Sequence, residues 1–368
     1  MRRSRNCSRR TVLQTFTSLG TCAFAGIAVP QQQPQRPALP RTPGPPPDGY
    51  LITVRGPIPA NQMGITLPHE HILITHASVQ HTFNRAFEVD LTDTDMAARE
   101  VSLYAKAGGK TIIDMTNIGI GRNAPALRRI SDKTGIHVVM GTGYYKNGWL
   151  PPEVDEMSVE DLMGYMVQDI EVGVDGTGLR AGVIGELGMS RPRTATESRF
   201  LRAAARVQQR TGVAISIHFD VNGALEEHMG ALDVLAVEKA DLSRVVLGHF
   251  VPKKAALEHF MKVAQRGCYV EFDLFGQGTW PRGGWGTSLE EQLDGIKLCI
   301  DKGLARQMLM SQDVCNKRYL TENGGRGYAH ILQDLVPRLR EVGVTDQDLR
   351  TIMQENPQRL FPVRRAIA

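Results

Sequence analysis

Thr66-Leu67-Pro68-His69-Glu70-His71-Ile72-Leu73-Ile74 sets two imidazoles two residues apart within an apolar run. Side chains at i and i+2 of a β-strand point to the same face, so His69 and His71 aim at one point, as a pair of metal ligands would. Ligand-type residues recur downstream, each at the end of its own apolar segment: Glu186, His218, His249 and Asp313. Six convergent ligands predict two metal ions.

Outward from that stretch, a short apolar strand followed by a polar helical segment repeats without long interruption from Tyr50 onward. The pattern predicts strands over 65–75, 111–117, 137–144, 182–187, 214–219, 245–250, 269–274 and 307–311. Amphipathic helical stretches lie between them, among them 93–107, 158–173, 197–210 and 289–302. Near-continuous apolar strands separated by helices imply a parallel sheet covered on its outer side, and eight such units in roughly 300 residues predict a (β/α)8 TIM barrel over 49–368. An open doubly wound sheet is the alternative, and the ligand positions argue against it. Functional side chains at the C-terminal ends of many strands converge on one mouth only if the sheet closes and brings the first strand beside the eighth.

Composition excludes several classes. With 42% hydrophobic and 22% charged residues, the 368-residue chain is an ordinary globular protein rather than a disordered or fibrous one. The net charge of +4 misleads, because the first 48 residues carry seven arginines against the single acid Asp48. Subtracting them from 43 basic and 39 acidic residues leaves 36 against 38. A near-neutral folded part with no basic stripe makes nucleic acid an unexpected partner.

The N-terminus reads as a targeting signal. Ser8-Arg9-Arg10-Thr11-Val12-Leu13-Gln14 resembles a twin-arginine export motif, and a mildly apolar stretch runs on to Val29 with Ala23-Phe24-Ala25 as the cleavage candidate. Residues 1–29 are thus expected to be a signal read by the twin-arginine export machinery, removed near Ala25 and delivering a periplasmic or secreted protein with no membrane span when mature. Thr21 is an unusual neighbour for a lipidated Cys22. The Pro- and Gln-rich residues 30–48 read as an extended linker. Beyond them only Cys268, Cys299 and Cys315 remain, too few for a disulfide framework.

With these residues in view, the chain resembles the phosphotriesterase family of the amidohydrolase superfamily. The likeness spans roughly 54–361 and rests on Thr53-Val54-Arg55-Gly56-Pro57, the His69-Glu70-His71 segment, Ala181-Gly182-Val183-Ile184-Gly185-Glu186-Leu187-Gly188, Ser216-Ile217-His218, Leu247-Gly248-His249 and Ser311-Gln312-Asp313. The resemblance implies that His69, His71 and Asp313 hold the more buried metal, that His218 and His249 hold the more exposed one, and that Glu186 bridges them. It also implies that homodimers are common. The best-known members use a carboxylated lysine as the bridge. Here no lysine occurs over 181–190, and ungapped counting puts that lysine at Gly185. A one-residue offset reverses the face of a strand, so a bulge is required for Glu186 to point inward.

The expected chemistry is hydrolysis of an ester-type bond in a small molecule (lactone, carboxyl ester or phosphoester) by a hydroxide bridging two divalent ions, with Asp313 accepting its proton. Four imidazoles and two carboxylates suit zinc, with manganese or cobalt compatible by ligand type. Phosphotriesterase activity proper and a non-catalytic metal-containing binding protein on the same barrel are the alternatives, with amide hydrolysis a third. Tyr144, Tyr145, Trp280 and Trp285 are candidate substrate contacts, the tryptophans lying on a long loop, 275–287, that also carries Gln277. Asp114 is expected to support a ligand histidine by hydrogen bonding. His76, His81, His137, His228, His259 and His330 show no comparable placement.

Overall fold

The computed structural model describes residues 49–75, 90–221, 223–277 and 285–363. The expected signal and linker, His76, His81 and Trp280 lie outside the described residues.

A short antiparallel hairpin, β1 (Tyr50–Thr53) and β2 (Gly56–Pro59), precedes the barrel. Eight parallel strands then follow, each paired with the next in chain order: β3 (Thr66–Glu70), β4 (Thr111–Asp114), β5 (His137–Thr142), β6 (Val183–Gly188), β7 (Ala214–His218), β8 (Val245–Leu247), β9 (Tyr269–Phe272) and β10 (Met308–Met310). All eight predicted strands are present. Except at β6, the ladders are shorter than the apolar runs because the last residues of those runs leave the sheet to form the mouth. The helices between them are α1 (Thr94–Lys106), α2 (Ala124–Thr134), α3 (Val159–Glu171), α4 (Ala195–Thr211), α5 (Leu225–Val237), α6 (Leu257–Gln265) and α7 (Leu289–Asp301). Their starts are written in the sequence: the Asp93 carboxylate accepts from Asp95 N and Met96 N, and Ser158, Thr194 and Ser288 form capping boxes.

Strand periodicity of two divides the barrel into an outer and an inner set. Ile112, Val138, Ile184, Ile215, Leu247, Val270 and Met308 pack outward against the helices. Ile113, Val139, Val183, Ala214, Val246, Tyr269 and Leu309 point inward and form an apolar plug. Leu51 and Met63 from the N-terminal side, with Leu360 and Phe361 from the C-terminal side, seal its floor. Above this layer the inward positions turn polar, and the site begins there.

Closure between β3 and β10 does not use a backbone ladder among the described residues. The Ser311 hydroxyl accepts from His69 N at 3.0 Å and lies 2.8 Å from both His69 O and Glu70 Oε1. Glu70, fully buried, accepts from Gln312 N at 2.9 Å and from Val314 N at 2.8 Å, while Asp313 N donates to His69 O at 3.2 Å. One hydroxyl proton cannot serve two acceptors. Burial pushes the Glu70 carboxyl up to about 8 against the pull of these donors, and a proton held there supplies the missing bond to Ser311.

Truncating this carboxyl strands two buried backbone donors, Gln312 N and Val314 N, at roughly 1–3 kcal/mol each, so Glu70→Ala should lose about 2 kcal/mol or more of stability in thermal or denaturant unfolding. A melting point unchanged from wild type would disprove the staple. Because the folded pKa is raised, the contribution of this group is fully present below its ordinary value of 4.5 and fades as the pH rises through about 8. Stability relative to Glu70→Gln should therefore decline over that window.

Candidate metal centre

The strand ends aim the candidate ligands at one point by two local irregularities. On β3 the register to β4 slips by one residue between Leu67 and Glu70, at Pro68, which has no N–H for the ladder. On β6 the register to β7 slips between Ile184 and Leu187, and this is the bulge that the one-residue offset of Glu186 requires. Gly185 sits in it at φ +142, and a Cβ there would lie 2.6 Å from Ser216 O. Only glycine fits, and Glu186 turns inward as a result.

Glu186 is the hub. Its Oε2 lies 3.2 Å from His69 Nε2, 3.0 Å from His218 Nδ1 and 3.5 Å from His249 Nε2, and its Oε1 lies 3.3 Å from His71 Nε2. Asp313 Oδ1 stands 3.3 Å from His71 Nε2 and 4.0 Å from His69 Nε2. All six predicted residues therefore meet. Two metal-sized groupings share the glutamate, His69–His71–Glu186 and Glu186–His218–His249. His249 and Asp313 hold left-handed backbones, φ +63 and +47, as non-glycine residues do where surrounding contacts over-determine them.

The opposite nitrogen of each ring fixes its tautomer. Thr116 Oγ1 donates to Leu73 O at 2.9 Å, so its oxygen must accept from His71 Nδ1 at 3.0 Å. His69 Nδ1 faces Glu271 Oε2 at 3.1 Å and Asp273 Oδ2 at 3.2 Å; His249 Nδ1 faces Asp273 Oδ1 at 3.1 Å. Carboxylates accept, so these Nδ1 atoms carry the hydrogens and the Nε2 lone pairs of His69, His71 and His249 face Glu186. His69 Nε2 is buried with no hydrogen-bond partner among the described residues. A third grouping, His69–His249–Asp273, involves Asp273, which already accepts from His249 Nδ1 at 3.1 Å and from His249 N at 3.0 Å.

Electrostatics point the same way. Burial opposes charge on His69, His71 and His249, yet the neighbouring carboxylates outweigh it. His69 is held well above its ordinary range, chiefly by Glu186; His71 is raised to about 9 by Asp313 and Glu186, and His249 to about 10 by Asp273 and Glu186. His218 is lowered, by burial first and by His249 beside it. Burial likewise opposes ionisation of Glu186, but His218 and His69 bring its carboxyl well below the usual range. A pocket that draws protons onto three buried imidazoles fits divalent cations, whose binding would release those protons.

The remaining expectations divide. Tyr145 OH reaches His218 Nε2 at 3.2 Å, and Trp149 packs edge-on against the Tyr145 ring. Tyr144 does not reach the mouth: it stacks on Phe200 at 5.0 Å, 2% exposed, its hydroxyl unpartnered among the described residues. Alternation along the strand end sends the two tyrosines to opposite sides. Trp285 is 45% exposed at φ +58. Asp114 supports no histidine ring directly; it accepts from Ile72 N at 2.7 Å and Thr116 N at 3.1 Å, and Thr116 holds His71. Sequence reasoning missed Glu271, Asp273 and Thr116. It also missed Cys315, whose thiol burial and the Asp313 and Glu186 carboxylates hold well above its usual range.

Removing the acceptor that orients His249 and lies 3.2 Å from His69, Asp273→Ala, should lower zinc affinity about 10–100-fold in chelator competition; unchanged affinity would rule out the orienting role. Tyr144→Phe removes only an unpartnered hydroxyl and should leave stability within about 1 kcal/mol of wild type.

Comparison with known proteins adds to this geometry. An N-acetyltaurine hydrolase of Dictyostelium discoideum is 30% identical over 365 residues, 86% of this chain and 98% of its own. A resiniferatoxin-binding protein of Rhodobacter sphaeroides superposes with a TM-score of 0.79 at 36% identity, covering 85% of this chain and 95% of that one. A lactonase of Listeria monocytogenes does so with a TM-score of 0.77 at 25% identity, covering 86% and 100%. The family model described as the phosphotriesterase family matches residues 49–361. The chain belongs to the phosphotriesterase family.

Proposed function

We propose that the chain is a metal-dependent hydrolase that cleaves an acyl bond of a small molecule at a centre of two divalent ions sharing Glu186. The observation that carries this reading is the convergence of four imidazole nitrogens on one carboxylate, with the far side of each ring held by its own partner. His69, His71 and Asp313 would hold one ion and His218 and His249 the other; the donor set suits zinc, with manganese or cobalt compatible. Bound divalent ions supply a water of lowered pKa and polarise the substrate oxygen under attack.

The chain's own residues do the rest. Asp313, 3.3 Å from His71, is placed to take the proton of the attacking water at Oδ1 and to return it to the leaving group. Tyr145 orients the His218 ring so that Nδ1, not Nε2, faces Glu186. The apolar plug beneath the site closes the barrel interior to water.

Two bond types are supported. The Listeria lactonase favours an ester or lactone, as the sequence led us to expect. The N-acetyltaurine hydrolases favour an amide bearing an anionic substituent, and this chain has a cation where such a group could rest: Lys146, next to Tyr145, pairs with Asp220 at 2.8 Å, two residues after His218. An amine leaves only if protonated, whereas an activated phenolate does not need a proton. The reading therefore makes Asp313 more important for amides than for aryl esters.

Purified protein should carry about two zinc equivalents per chain by elemental analysis, falling in Glu186→Ala; one equivalent, unchanged in that variant, would remove the bridge. Asp313→Asn should cut turnover of N-acetyltaurine or a lactone at least about 100-fold in zinc-replete protein. Near-normal turnover would eliminate the proton-transfer role.

A further inference from the structure

The left-handed backbone of Asp313, φ +47, has to be held in place by its neighbours. Much of the hold comes from one side chain on the segment after β9. The Gln277 amide nitrogen lies 2.6 Å from Asp313 O, 2.9 Å from Asp313 Oδ2 and 3.1 Å from Gln312 O. All three neighbours are acceptors, which fixes the orientation of the amide: its NH2, not its oxygen, faces Asp313. Two hydrogens for three oxygens leave the nearer pair, both on Asp313, as the principal partners. The turn that carries Gln277 is itself packed. Gln277 N closes on Leu274 O at 3.4 Å, and a Cβ at Gly276 (φ +82) would come within 2.9 Å of the His330 ring.

The two carboxylate oxygens of Asp313 consequently have different surroundings. Oδ2 is anchored to Gln277, and Oδ1 faces His71 and His69. We infer that Gln277 is a positioning residue that makes Asp313 a one-oxygen ligand: it presents Oδ1 to the ion held by His69 and His71 and keeps Oδ2 from chelating the same ion. This inference rests on the proposed function. A carboxylate free to rotate about its Cβ–Cγ bond could close on the ion with both oxygens and take the coordination position that a reacting water needs. By this account Gln277 acts on the site through Asp313 alone and does not touch substrate.

The test uses full-length protein, zinc as the probe and, as the assay substrate, N-acetyltaurine or a lactone, whichever the wild-type protein turns over. Gln277→Met removes both donors at similar volume, and Gln277→Asn withdraws the amide by one methylene; melting curves report folding of each. In both variants zinc affinity should change about tenfold or more in chelator competition, and kcat should fall about 10–100-fold with KM within about twofold. In an Asp313→Ala background the same replacements should alter zinc affinity less than about twofold, since the residue they act through is gone. An equal effect in both backgrounds, or a raised KM with kcat intact, would overturn the inference. Wild-type protein that binds two zinc ions while Gln277→Met matches it in affinity and kcat overturns this inference alone. Wild-type protein that binds no zinc overturns the proposed function and this inference with it.

Discussion

The site depends on how the first and last barrel strands are joined. His69 and His71 belong to β3 and Asp313 follows β10, so they can meet only across the seam of the barrel. Among the described residues that seam has no regular ladder; side chains hold it, Glu70 from one strand and Ser311 from the other, with the backbone amides of Gln312, Asp313 and Val314 as donors. Substituting side-chain bonds for ladder bonds has a geometric advantage. It lets the backbone of 312–314 leave strand geometry at once, and Asp313 can then take the left-handed turn that aims its carboxylate back at β3.

Beneath the imidazoles lies a second set of polar groups with a separate task. The inward positions of β9 read Tyr269, Glu271 and, just past the strand, Asp273, so one strand passes from apolar floor to acidic support within five residues. Two carboxylates packed under two histidines would be costly as bare charges. They persist because each has an imidazole N–H to accept, and burial pushes the Glu271 carboxyl up to about 7 so that the pair with His69 can share a proton. Gly248 leaves room for this arrangement: a Cβ there would sit 3.0 Å from Asp273 Oδ2. Ring orientation at the mouth is thus set from below, by groups that never face the solvent.

How much of this the sequence carries depends on what each residue answers to. The six candidate ligands are legible because strand ends and period-two spacing depend only on local order, and the need for a bulge at Glu186 follows from counting. Glu271 and Asp273 obey the same period as Tyr269 and were within reach of it. They escape notice because acids in a strand are read as solvent-facing until the barrel encloses them. Glu70 sits between two histidines and takes the opposite face, where only closure supplies partners. Tyr144 and Tyr145 stay equivalent until the exact strand end is known. Gln277 is visible only as part of a loop that reads as substrate-facing, since its contact with Asp313 depends on a turn packed against His330, distant in sequence.

The glycine preceding Glu186 bears on how such centres diversify. Position 185 tolerates no side chain of any length, and the strand carries an extra residue there, so the group that enters the mouth comes from position 186. A single codon change at position 185 therefore cannot supply a longer side chain to the mouth. Changing which side chain enters the mouth at this strand end requires resetting the register of the fourth barrel strand by an insertion or deletion, because substitution alone leaves Gly185 pressed against Ser216.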